Sequence, residues 1–158
     1  MTIDSTSKRR AIPSIVQTLS PLVRRLLRLG LPMGDNALLT VRGRTSGKPR
    51  TLPITILPAN GRQYVFAAFG EVNWVQNLRA AGEATLKQGR RTTEVLAVEL
   101  APDEAAAILH VGLATALKMP MVGSMIGGWY GITAGSTPAD YEAAARLHAG
   151  FELRPIRV

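Results

Sequence analysis

Between Ala37 and Leu100 the apolar residues come in short runs, each ended by a turn signal, and that pattern restricts the region to an antiparallel sheet. Ala37–Val41 and Leu52–Leu57 flank a glycine-bearing connection, and Leu52, Ile54 and Ile56 share one face by strand alternation. Asn60-Gly61 is a hairpin signal because both turn positions need positive φ. It leads into Gln63–Phe69, which Gly70 closes, and residues 83–88 and 91–100 meet at Gly89-Arg90. One short helix is inserted over 73–81, with Trp74, Leu78 and Ala81 inward and Gly82 as its stop. The alternation of strand and helix that a doubly wound parallel sheet requires is absent.

Helices are expected at both ends. Residues 12–30 form an amphipathic segment in which Ile15, Leu19, Leu22, Val23 and Leu26 share an arc opposite Arg24, Arg25 and Arg28, with a break at Ser20-Pro21; residues 1–11 are polar and frayed. Pro102, Asp103 and Glu104 open a helix to about Leu117, and Thr137-Pro138-Ala139-Asp140 caps another to about His148. Segment 118–136 holds three of the five methionines and five of the fifteen glycines, with Trp129-Tyr130, and reads as a lid-like loop. Phe151 to Val158 is a closing strand that Pro155 assigns to an edge. Five or six antiparallel strands with flanking helices give a single α+β domain over residues 1–158, a small β-barrel or half-barrel.

Composition narrows the chemistry. The chain has no cysteine, which removes disulfides and thiolate chemistry and fits a reducing cytoplasm. Ten Lys and Arg lie in residues 1–50 against Asp4 and Asp35, while the remainder is balanced. That segregated charge suits an anionic partner. Residues 1–50 contain no aromatic side chain, so no stacking platform for nucleic acid accompanies the charge and nucleic acid is not an expected partner. Residues 12–30 carry the charge and the apolar arc needed for peripheral contact with an anionic membrane, although packing on the domain is the simpler use of that arc. No run reaches the roughly 18–20 apolar residues that span a bilayer. A homodimer is open. His110 and His148 lack ligand partners at helical spacing and read as structural; with no nucleophile elbow or metal cluster, a bound cofactor has to carry any chemistry.

The candidate site is Gly43-Arg44-Thr45-Ser46-Gly47-Lys48-Pro49-Arg50. Arg44, Lys48 and Arg50, with Arg42 before them, sit in a loop without an acid, and its glycines leave backbone N–H groups free to face a ligand. Guanidinium forks and backbone donors together suit an oxyanion, phosphate above all. It is not a Walker A loop, since three residues separate the glycines and Pro49 follows the lysine. A solvated basic turn is the plain alternative.

Leu38-Leu39-Thr40 with Gly43–Pro53, followed by Phe66-Ala67-Ala68-Phe69-Gly70 and Trp74-Val75-Gln76-Asn77-Leu78-Arg79-Ala80, resembles the deazaflavin-dependent nitroreductases over about residues 20–100. The resemblance implies a split β-barrel holding coenzyme F420, a phosphorylated deazaflavin with an acidic tail, and hydride transfer to an unsaturated or nitro-substituted small molecule, the electron acceptor. Carried over position by position, Arg44 and the loop Ser46, Gly47, Lys48, Pro49 and Arg50 would meet the phosphate and tail. Ala68, Phe69 and Gly70 would flank the deazaflavin, Trp74 and Asn77 would close the site, and Trp129 and Tyr130 would face the acceptor. Two departures stand out: Thr45 replaces the usual Lys or Arg, and Glu71-Val72-Asn73 is a short, acidic link. They make FMN, or another flavin-like or tetrapyrrole ligand, the alternative cofactor, and a non-catalytic cofactor or lipid carrier the alternative function.

Overall fold

The computed structural model describes Pro21, Arg25, residues 36–68 and residues 72–156. Of the expected segment 12–30 only Pro21 and Arg25 fall within the description, both helical and exposed; Phe69 and Gly70 lie outside it.

Seven strands form one antiparallel sheet: β1 (Asn36–Arg42), β2 (Pro49–Thr55), β3 (Leu57–Ala59), β4 (Arg62–Phe66), β5 (Glu83–Gln88), β6 (Arg91–Glu99) and β7 (Gly150–Pro155). Their spatial order is β2-β1-β5-β6-β7-β4-β3. β2 and β3 are the two outer strands, yet only Ile56 separates them in the chain. Two peptide links reach at most about 7 Å, so the sheet has to curl until its ends almost meet. The result is a half-barrel of the α+β class with Ile56, 2% exposed, at the seam.

Local signals explain the turns. Asn60 and Gly61 take φ of 52° and 73°, as a two-residue hairpin between β3 and β4 requires. α1 (Asn73–Ala81) ends at Gly82, whose φ of 70° lets its N–H reach the Leu78 carbonyl at 2.8 Å. In α4 (Pro138–Leu147) the capping box is complete: Thr137 N–H donates to Asp140 Oδ2 at 2.8 Å, and Asp140 N–H to Thr137 Oγ1 at 3.3 Å.

Two apolar clusters hold the layers together. Inside the curl, Leu39, Val41, Ile54, Ile56, Leu86, Phe151 and Leu153 pack with Val75 and Leu78 of α1. Outside it, Tyr64 and Phe66 meet Leu109 and Leu113 of α2 (Pro102–Leu117), Tyr141 of α4 and the flank of α3 (Pro120–Tyr130).

Three expectations need correction. Segment 118–136 is not a lid-like loop: residues 120–130 are helix α3, opened by Pro120 and closed by Gly131 at φ 72°. Two of its three glycines are packing devices, since a Cβ on Gly123 would overlap the Leu117 carbonyl and one on Gly127 the Ile132 carbonyl. β7 is not an edge strand; it lies between β6 and β4. Pro155 is tolerated because the β4 ladder covers only residues 150–152, so the far end of β7 pairs with β6 alone. The strand count is seven because Ile56 splits 51–59 in two, and the expected strand 63–69 stops at Phe66.

The glycines of α3 give a paired test. Ala is better than Gly in a helix interior by about 1 kcal/mol, and a Cβ on Gly128 meets nothing within 4 Å. Gly128→Ala is expected to stabilise by about 0.5–1 kcal/mol. Gly127→Ala has the same helical gain but drives a methyl into a backbone oxygen, and overpacking of about 1–3 kcal/mol wins. Urea titrations of both variants check the opposite signs.

Candidate functional site

The basic loop is the β1–β2 hairpin connection, and short bonds fix its shape. Gly43 N–H donates to the Lys48 carbonyl at 2.8 Å, Gly47 N–H to the Gly43 carbonyl at 2.9 Å, and Lys48 N–H to Ser46 Oγ at 3.2 Å. Gly47 has φ of 67°, which favours glycine, and an added Cβ on Gly43 would come within 2.7 Å of Ser46 Oγ, so that hydroxyl would have to swing away. Thr45, Ser46, Lys48 and Pro49 are exposed, as are Arg42, Arg44 and Arg50. Among the described residues no acid pairs with Arg42, Arg44, Lys48 or Arg50.

Register sorts the cations. Arg50 pairs with Val41, and Arg42 with Pro49. Cross-strand partners share a face, so Arg50 leaves on the concave side with buried Val41 and Arg42 on the convex side. Arg44 turns to α1. Its backbone N–H donates to Asn77 Oδ1 at 3.1 Å, and its Nη1 donates to the same oxygen at 2.7 Å and to the Asn73 carbonyl at 3.4 Å. Asn77 is 7% exposed, so loop and helix are joined by a buried amide. Residues 42–47 with Ala80 and Ala81 line an open depression of about 470 Å³.

One turn before Asn77, Trp74 is half-buried with its ring centroid 6.4 Å from that of Phe151. Ala68 follows β4 in a half-buried turn. The residue before it, Ala67, accepts a 2.8 Å hydrogen bond from Nδ1 of His148, which is 3% exposed. A carbonyl can only accept, so Nδ1 carries the proton. On its other side the His148 ring meets Tyr130 nearly edge-on, centroids 4.8 Å apart. Burial raises the pKa of the Tyr130 hydroxyl above the ordinary tyrosine value, so it stays protonated at neutral pH and can donate but not act as a base. Trp129, beside it, is half-buried. A second depression, about 610 Å³, is lined by residues 117–120, the glycine side of α3 and residues 131–135; Trp129 and Tyr130 lie outside its lining. Among the described residues no cluster of His, Cys, Asp and Glu could hold a metal, and no helix is long and apolar enough to cross a membrane.

Residues 22–118 match the family of F420H2-dependent quinone reductases. The chain belongs to that family. It is an F420-dependent oxidoreductase, and its cofactor is F420, with the flavin alternative secondary. No curated relative matches it in sequence. Among solved structures it is similar to an F420-H2-dependent reductase at 21% identity, covering 76% of this chain and 94% of that one with a TM-score of 0.50. It is also similar to a domain-swapped dimer at 19% identity, covering 90% of this chain and all of that one, TM-score 0.53. Identities this low speak to the fold, which is the split barrel.

The residues present fit the cofactor of the F420H2-dependent quinone reductases. A phosphorylated cofactor with an acidic tail needs cations that are not already neutralised, and this hairpin offers four, of which Arg42 and Arg44 line a depression. Three things were not legible in sequence: that Asn77 holds Arg44, that His148 joins Ala67 to Tyr130, and that Glu152, 6% exposed in mid-sheet, lies between Arg62 at 3.4 Å and Arg154 at 3.1 Å. Each depends on at least one contact between distant parts of the chain. A polar residue on an otherwise inward helix face was the one available hint, and it applied to Asn77 alone.

Proposed function

We propose that the protein reduces an unsaturated or nitro-substituted small molecule, quinones being the first class to try, with F420 seated between the β1–β2 hairpin, the end of β4 and α1. The observation that carries this reading is the acid-free cluster of Arg42, Arg44, Lys48 and Arg50, fastened to α1 beside a depression. Lys48, Arg50 and the loop's backbone N–H groups would hold the phosphate and tail by charge-assisted bonds. Ala68, Phe69 and Gly70 would lie along the ring, with Trp74 and Asn77 on the α1 side. Reduced F420, when bound, supplies a hydride to the acceptor. The chain's own part is to orient both molecules, to exclude water and to steady the charge the acceptor gains before it takes up a proton.

Tyr130 is the candidate for that last task. Its hydroxyl remains protonated, and His148 links its ring to the strand end beside which this reading seats the cofactor. Tyr130→Phe is expected to lower turnover about tenfold or more, in the manner of a lost donor to developing charge, with F420 affinity and melting temperature unchanged. Equal losses of stability and activity would assign Tyr130 to packing alone.

The deciding experiment mixes purified protein with reduced F420 and a quinone or a nitroaromatic and follows F420 oxidation. Acceptor-dependent oxidation supports the reading. Tight F420 binding with no turnover on any acceptor would make the protein a cofactor carrier instead.

A further inference from the structure

Arg44 has two roles open to it, loop anchor or anion ligand, and its hydrogen bonds show how one side chain can serve both. The atom of Asn77 that faces Arg44 receives two donors, so it must be the amide oxygen. Among the described residues only Nη1 of the guanidinium is engaged, by Asn77 Oδ1 and the Asn73 carbonyl. Nε and Nη2 have no partner among the described residues. These two nitrogens form the side-on edge of the guanidinium, which meets a carboxylate or phosphate with two parallel bonds. The same molecule uses that edge elsewhere: Arg79 Nε lies 2.8 Å from Glu99 Oε2 and its Nη2 2.8 Å from Oε1.

We propose that Asn77 is a positioning residue that holds Arg44 with its side-on edge presented to an oxyanion, and that the neutrality of Asn77 is what keeps the arginine's charge available. This rests on the reading that the loop receives the acidic groups of F420. The amide fixes the end of the side chain and the backbone of the same residue, so the fork loses little further freedom on binding. It does so without neutralising it, as Glu99 does for Arg79.

Two substitutions separate this from a structural tie. Arg44→Lys keeps the positive charge and loses the two-toothed edge, so F420 should bind about tenfold more weakly with the melting temperature unchanged. Asn77→Asp keeps both acceptor bonds, so the loop stays in place and the melting temperature holds or rises, yet the carboxylate against the guanidinium should weaken F420 about tenfold and flatten the salt dependence of Kd. A merely structural role predicts no loss of affinity in Asn77→Asp. Fluorescence titration with F420 and thermal melts read both variants, with Lys48→Ala alongside. Wild-type affinity in Arg44→Lys overturns the positioning role, and that variant decides alone if Asn77→Asp does not fold. If Lys48→Ala also binds as wild type, the reading of the loop itself falls.

Discussion

Lys48→Ala and Arg50→Ala each weaken F420 binding by about tenfold to a hundredfold, because a charge-assisted hydrogen bond contributes roughly 1.5–3 kcal/mol, and neither lowers the melting temperature. Both side chains are exposed, and among the described residues neither has an acidic partner to lose. Removing one cation from a cluster of four relieves repulsion in the free protein, which offsets the small loss of packing. The two effects should be close to additive if the phosphate and the tail engage different cations, and clearly less than additive if both side chains hold the same group. Raising ionic strength should weaken the wild type more than either variant, since exposed charges are screened over about 10 Å at 0.1 M salt. Unchanged dissociation constants in both variants would take the anion site away from this loop.

Phe151→Ala has the largest expected effect on stability, a loss of about 3–5 kcal/mol. Phe151 is 1% exposed in the middle of the curled sheet, on β7 between β6 and β4, and it also faces the Trp74 ring. The cavity it leaves cannot close easily, because its strand is paired on both sides at residues 151 and 152. Trp74 reports the change: its fluorescence should shift towards that of a more solvated indole in the folded variant. Phe151→Leu refills most of the volume and should recover more than half of the loss. A Trp74 emission identical to wild type in Phe151→Ala would separate the core from the α1 side of the site.

What could be read in the sequence was whatever residues a few positions apart determine. The alternation of Leu52, Ile54 and Ile56, the Asn60-Gly61 turn, the Gly82 stop and the Thr137–Asp140 box each depend on neighbours, and each stands in the structure. The basic hairpin was legible for the same reason. α3 was not, because three glycines in eleven residues argue against a helix until Leu117 and Ile132 bring their carbonyls against Gly123 and Gly127. β7 was misplaced because Pro155 signals an edge, whereas the edge here belongs only to one end of an interior strand. In the site, Arg44 and Asn77 are 33 residues apart and His148 and Ala67 are 81 apart, so no local pattern could pair them.

The two outer strands have a consequence for how this protein meets copies of itself. In β2 the N–H groups of alternate residues face away from β1, and Pro49 and Pro53 occupy two of those positions; in β3 Pro58 does the same opposite β4. Both rims therefore lack some of the donors with which another polypeptide would hydrogen-bond, β2 keeping those of Thr51 and Thr55, so growth of the sheet by strand addition is disfavoured at each end. Association through side-chain surfaces is favoured over extension of the sheet, and concentrated solutions should resist fibril formation. Pro53→Thr and Pro58→Thr would restore one missing donor on each rim and should make the protein aggregate at lower concentration, which light scattering would register.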